Sequence, residues 1–382
     1  MQQPERVETL KKRWSTEQLI TGVELPEWLE ILEANDFKVS PAYLHRLAWV
    51  TGWSVPSTLF GRLEDALFAR KLAEMPVDPT PLILLGHWRS GTTHLQNLYG
   101  RDPNHTVPTY YQVIFPTSFL LTGKIVPKLA AGALEETRSY DNVKQGWDEA
   151  AEDEIALAKL TGLSMYLSFM FPDEAARYEK YIDFLEATPD ERERWKNALL
   201  TFVKRIMLAT GGKRVVLKSC PHTARIRLLL ELFPDARFVH IHRNPYEVFA
   251  STLHMRGETD WENFFHRPQR EFLDQRWEHT AAIGRRIYER VIEDRHLIPE
   301  QNFVEIAFSD FAGNERNMLH DMYTKLRLPD WDRYEATIRP YLDSLRGYKR
   351  NKLDISDELR DFVYDRWRLV FDTYGYSKEY PA

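Results

Sequence analysis

Hydrophobic positions along this chain follow two rhythms. Short extended runs at 82–85, 214–218, 236–242 and 302–308 read as strands, and Leu82 to Leu85, four large aliphatics closed by Gly86, is suited to a buried one. Between and beyond them the apolar spacing is helical, which predicts helices over 92–99, 188–209, 223–233, 245–254, 269–293, 314–326 and 356–371. The 188–209 helix is the best marked: Thr188 as N-cap, Pro189 at the first position and Glu191 at the third form a capping box, and Gly211 and Gly212 end it. Strand alternating with helix predicts an α/β fold, a parallel sheet flanked by helices. Ligands of such sheets bind beyond the carboxyl ends of the strands, which is where Gly86 to Thr93, Lys218 to His222 and Arg243 fall.

Residues 1–78 read as a helical N-terminal extension on an α/β domain covering 79–382, with Pro76, Pro79 and Pro81 marking the connection. Its apolar residues are Trp28, Leu29, Ile31 and Leu32, then Leu59, Phe60, Leu63, Leu67 and Phe68, with Pro56 just ahead of the second run. Amphipathic helices packed on the sheet are the expectation; a helical cap, a homo-oligomer surface or a membrane-surface element are the alternatives. Residues 102–146 look irregular and rich in proline and aromatics, suited to a substrate wall or to core filling. A helix is expected over 147–161, with Ala150, Ala151, Ile155, Leu157 and Ala158 on one face and Glu154 in their midst, while Glu149, Glu152, Asp153 and Lys159 point elsewhere. A carboxylate at such a place needs either an arginine partner or a catalytic or orienting role.

Composition narrows the picture further. Net charge is −6 with both signs intermixed and no basic tail, which argues against nucleic acid as partner. No apolar run approaches the roughly 20 residues of a membrane span, and the charged N-terminus lacks the apolar core of a secretory signal. Cys220 is the only cysteine, so no internal disulfide forms, a cysteine zinc site is not expected, and a cytoplasmic location fits.

The chemistry concentrates after the first strand. Gly86 and Gly91 bracket four residues ahead of Thr92 and Thr93, a glycine-bounded turn into a helix N-terminus that favours a phosphoanion. Thr92 stands where a nucleotide triphosphate loop carries lysine, so a γ-phosphoryl group is not the expected ligand. Arg89, Ser90, Gly91, Thr92 and Thr93 resemble the R-[ST]-G-T-T loop of sulfotransferases that use 3′-phosphoadenosine 5′-phosphosulfate (PAPS). Arg243 at a strand end and Ser251 about two turns into the next helix resemble the R-x7-S element with which that family holds the 3′-phosphate. Arg offers a charged fork to the dianion and Ser a neutral donor.

The resemblance implies a P-loop-like sulfotransferase domain that moves a sulfuryl group from PAPS to a hydroxyl or amine of a small acceptor, with no metal required. Thr93, Arg89 and the loop amides would hold the 5′-phosphosulfate. Lys218 resembles the lysine of the K-T-H segment and would compensate charge on the leaving phosphate. The sequence departs from that segment, because Cys220 replaces the histidine and His222 lies two residues on. In an extended chain Lys218, Cys220 and His222 share a face, so the base is His222 or Glu154. Tyr348, Lys349 and Arg350 loosely resemble the late basic loop that closes over the nucleotide. A P-loop kinase and a non-catalytic nucleotide-binding protein remain the alternatives. Aromatic stretches hint at an apolar alcohol or phenol as acceptor.

Overall fold

The computed structural model describes residues 18–78, 80–130, 144–345 and 355–380, with Ser15 and Thr137 besides. These fall into two compact units, one drawn from 1–76, 109–205 and 253–277 and the other from 77–108, 206–252 and 278–382.

The second unit holds the sheet. Its strands are β1 (Leu82–Leu85), β2 (His105–Thr106), β3 (Arg214–Lys218), β4 (Arg237–His242) and β5 (Phe303–Ala307), in the order β2-β3-β1-β4-β5. Every pairing is parallel, and Leu82 lies opposite Val216 on one side and Arg237 on the other. The four strands read from sequence are present; β2, two residues long, is too short to leave a pattern. Leu82, Leu84, Val216, Val239 and Ile241 pack on a core that includes Leu95, Tyr99, Tyr323 and Tyr334. Helix Trp331–Ser344, which carries Pro340 inside it and was not foreseen, seals this face: Tyr334 donates its hydroxyl to the Leu98 carbonyl at 3.0 Å and stacks on Tyr323 at 4.8 Å.

The first unit is helical. In helix Leu25–Ala34, Trp28, Ile31 and Leu32 are buried, as their spacing predicts. Helix Leu44–Glu74 runs straight through Pro56 and reverses the expectation for its apolar residues: Leu59, Phe60, Leu63 and Leu67 are exposed. The inward face is polar instead because other backbone segments need its hydrogen bonds. Arg46 donates to the carbonyls of Trp261 and Phe264 at 2.8 and 2.6 Å, Thr58 accepts from the Leu25 N–H at 2.8 Å, and Glu64 accepts from the Leu121 N–H at 3.1 Å. Those tertiary bonds fix which face turns inward, since each buried polar group left unpaired would cost about 1–3 kcal/mol.

Other helices differ from the sequence reading: the one expected over 245–254 runs on as Pro245–Asn263, and the one expected over 223–233 covers Ile226–Leu232. The helix at 147–161 begins only at Asp153, since the carbonyls of Trp147 and Glu149 accept from the N–H groups of Tyr111 and Tyr110 at 3.0 and 2.8 Å. It is buried nearly all round, so Asp153 and Lys159 do not point away; the Lys159 amine donates to the Val113 carbonyl at 2.9 Å, and burial pushes its pKa well down. The expected 269–293 helix is broken at Gln275 into Arg270–Asp274 and Arg276–Asp294. The capping box of Pro189–Thr210 is present, with Glu191 N–H to Thr188 Oγ1 at 3.2 Å and Thr188 N–H to Glu191 Oε2 at 2.8 Å.

Candidate active site

The chain leaves β1 at Gly86, whose backbone passes so close to β4 that a Cβ would stand 2.6 Å from the Ile241 carbonyl oxygen. Its N–H donates to Thr223 Oγ1 at 2.7 Å. The loop then folds on itself, Ser90 donating from its hydroxyl and its N–H to the His87 carbonyl at 2.7 and 3.2 Å. Arg89 takes a left-handed φ of +67°, sparsely populated for a side-chain-bearing residue, and Gly91 a φ of +110°. Gly91 is the N-cap of helix Thr92–Tyr99 and brings no capping side chain, so the first-turn N–H groups are left to a ligand. Phe308, just past β5, closes against Gly91 so tightly that a Cβ there would come within 2.6 Å of the ring.

The second element meets the first. Arg89 Nε donates to Ser251 Oγ at 2.8 Å, and Arg243 Nη1 donates to the Arg89 carbonyl at 3.3 Å. Arg243 Nε donates to Glu247 Oε2 at 2.6 Å, its Nη2 also touches that carboxylate, and the guanidinium lies over the Phe308 ring at 4.6 Å. With Nε and one hydrogen on each Nη so committed, about two of the five N–H groups remain for a ligand. Lys218, at the end of β3 and almost fully buried, donates to Thr93 Oγ1 at 3.2 Å. Arg89, Thr93, Lys218, Arg243 and Ser251 thus belong to one linked set in the sheet unit.

Neutral groups support that set. His87 is buried, stacked on Tyr288 at 5.4 Å and edge-on to Trp367 at 5.3 Å, with Nδ1 2.9 Å from the Trp88 carbonyl. Burial pushes its pKa down to about 4, so it is an uncharged pillar under the loop. His242, before Arg243, is pushed down to about 4 by burial and by His240, and its Nδ1 lies 2.7 Å from Tyr376 Oη. The positive charge of the site therefore comes from arginine, lysine and the helix N-terminus.

The two candidate bases are placed differently. The chain does not stay extended past Lys218: Cys220–Ala224 is a 3-10 turn, so the shared face inferred for Lys218, Cys220 and His222 does not exist. His222 is instead buried within the turn, its N–H donating to the Ser219 carbonyl at 3.0 Å, and the neighbouring Thr223 ties that turn to Gly86. Glu154 belongs to the helical unit, is buried, and accepts from Ser164 Oγ at 2.6 Å. Tyr348, Lys349 and Arg350 lie outside the described residues. Sequence reasoning missed Glu247, Thr223 and Phe308. Glu247 stands four residues after Arg243, a spacing that pairs charges on a helix; the other two meet the loop only through long-range folding.

An uncapped helix N-terminus with two arginines, a lysine and a serine hydroxyl at a parallel sheet's strand ends makes a site suited to an anion. The chain belongs to the sulfotransferase family, whose profile matches residues 81–333. It is 32% identical over 363 residues, 95% of this chain and 92% of that protein, to the omega-hydroxy-beta-dihydromenaquinone-9 sulfotransferase Stf3 of Mycobacterium bovis, and equally to its namesake in Mycobacterium tuberculosis. Two solved structures share the fold. Sulfotransferase STF9 from Mycobacterium avium has a TM-score of 0.65 at 20% identity, covering 91% of this chain and 90% of that one. Sulfotransferase STF1 from Mycobacterium tuberculosis has a TM-score of 0.63 at 16% identity, covering 90% and 91%. The chain is therefore an enzyme of sulfuryl transfer, and the kinase and non-catalytic alternatives give way to that reading.

Proposed function

We propose that the sulfuryl donor is PAPS and that the acceptor is a hydroxyl on an apolar molecule. The observation that carries the donor assignment is the 2.8 Å bond from Arg89 to Ser251, which joins the two phosphate-binding motifs that the sequence separates by 162 positions. The residues fit such a ligand: Gly86 leaves no room for a side chain, the helix N-terminus is uncapped, and Arg243 keeps N–H groups to spare. PAPS supplies an activated sulfuryl group with adenosine 3′,5′-bisphosphate as leaving group. Arg89, Ser90, Gly91, Thr92 and Thr93 bind its 5′ side, and Arg243 with Ser251 binds the 3′-phosphate. Lys218, now on Thr93, offsets charge that develops on the leaving phosphate. The acceptor is read from the Stf3 relatives, whose name specifies a hydroxylated dihydromenaquinone.

His222 is the proposed base. It shares a short turn with Thr223, which holds the first residue of the phosphate loop, and histidine is the side chain most often used as a general base. As the acceptor oxygen bonds to sulfur and the bridging S–O bond breaks, a His222 ring nitrogen takes the hydroxyl proton. The purified chain incubated with labelled PAPS and pools of apolar alcohols should yield a labelled sulfate ester. His222→Ala should lower kcat by roughly 10²- to 10⁴-fold with affinity for adenosine 3′,5′-bisphosphate nearly unchanged. Normal turnover in that variant, with turnover lost in Glu154→Gln, would move the role to the carboxylate.

A further inference from the structure

Helix Leu44–Glu74 turns a line of large apolar side chains to solvent. Its buried residues are Arg46, Val50, Ser54, Ser57, Thr58, Gly61, Glu64 and Leu72, all but Val50 and Leu72 polar or small. Its solvent face carries Trp49, Trp53, Phe60, Leu63 and Leu67, all exposed, with Leu67 60% so. At about 100° per residue these five fall within about 40° of one line, a stripe about 27 Å long. Leu59, 64% exposed, widens it. Arg46, Thr58 and Glu64 each bond to backbone of the same unit, which fixes this face inward. Beside it, the chain at Phe115 touches Trp53 at 5.9 Å and Leu121 bonds to Glu64, then leads within a few residues to Ile125 and Leu129, 60% and 83% exposed. An apolar expanse of this length on an isolated chain calls for a partner.

Charge decides which one. The exposed acids of the helix are committed, Asp65 to Arg205 at 2.5 Å and Glu74 to Arg70 at 2.9 Å. The cations Lys71, Lys124 and Lys128 are exposed and carry no ion pair among the described residues. A second copy would set these like charges against one another. An anionic bilayer surface complements them, and the indoles of Trp49 and Trp53, packed edge to face at 5.9 Å, suit the headgroup boundary. No helix among the described residues is long and apolar enough to cross a membrane, so the helix would lie along the surface.

We propose that the Leu44–Glu74 helix docks this enzyme on an anionic lipid surface through the Trp49 to Leu67 stripe and the lysines beside it. The inference stands apart from the acceptor assignment and needs only the exposed face. Its test is co-sedimentation of the full chain with phosphatidylcholine vesicles made with and without phosphatidylglycerol, alongside sedimentation velocity without lipid. The wild type should bind the anionic vesicles and release with added salt. Leu63→Glu with Leu67→Glu should weaken binding on the order of a hundredfold, tenfold for each leucine kept from lipid. Lys124→Glu with Lys128→Glu should erase the preference for phosphatidylglycerol, and both variants should keep the wild-type circular dichroism, since all four positions are exposed. No vesicle binding by the wild type overturns the proposal. So does a wild-type dimer that the double-leucine variant converts to monomer while vesicle binding is absent or unchanged.

Discussion

Arg243 is held in position by protein groups alone: Glu247 takes one edge of the guanidinium, the Arg89 carbonyl another, and Phe308 lies beneath it. A planar fork so fixed loses little entropy on meeting a phosphate, which is why lysine is a poor replacement. Arg243→Lys should weaken adenosine 3′,5′-bisphosphate binding about tenfold, and Arg243→Ala by roughly ten- to a hundredfold, both read by calorimetry. His87 gives the loop a pH dependence. Its folded pKa of about 4 lies below the ordinary 6.5, so the unfolded chain takes up a proton first as pH falls. The stability contributed by neutral His87 is therefore complete above about 6.5 and is lost as pH falls through 4. A His87→Gln variant, less stable throughout for want of the stack on Tyr288, should show a flatter dependence of thermal midpoint on pH across that window. At this scale the sequence is most readable where chemistry is local. Arg89 to Thr93, and Arg243 with Ser251, each sit on one strand-turn-helix frame, so spacing alone exposes them. Thr223 and Phe308 reach the loop only once β3 and β5 are in place, and no spacing encodes that.

Among the elements, the Thr92–Tyr99 helix depends on one glycine. Gly91→Ala would put a methyl group against Phe308 in a left-handed backbone, costing on the order of 1–3 kcal/mol and loosening the loop, measurable as a lower denaturation midpoint together with weaker bisphosphate binding. Helix Leu44–Glu74 carries the opposite lesson, because its hydrophobic period was legible and its orientation was not. The period marks an apolar stripe; which way the stripe faces is set by Arg46, Thr58 and Glu64 reaching backbone groups far away in sequence. Glu64 makes this measurable. Burial raises its pKa from 4.5 to about 7 despite the nearby Arg205 guanidinium, so the folded chain holds a proton that the unfolded chain has released. The stability this contributes is full below about 4.5 and is lost as pH rises through 7. Glu64→Gln should abolish that component, leaving the variant's midpoint less sensitive than the wild type's between those values.

For the whole molecule, the α/β class was readable because strands and helices alternate along 214–254 and the same frame opens at Leu82. What was not readable is the grouping of 109–205 and 253–277 with the N-terminal helices, since these segments carry no shared local pattern and meet only in the folded unit. The sheet serves the chemistry by bringing β1, β3 and β4 side by side, so that their carboxyl ends deliver Gly86, Lys218 and Arg243 to neighbouring positions. The central claim is that this meeting point recognises a nucleotide with phosphates on both its 3′ and 5′ sides. Calorimetric titration of the wild-type chain with adenosine 3′,5′-bisphosphate and, separately, with ATP tests it most directly. The account predicts that the bisphosphate binds at least about tenfold more tightly than ATP and that Arg243→Ala removes the difference; tighter binding of ATP, or a bisphosphate affinity untouched by Arg243→Ala, would contradict it.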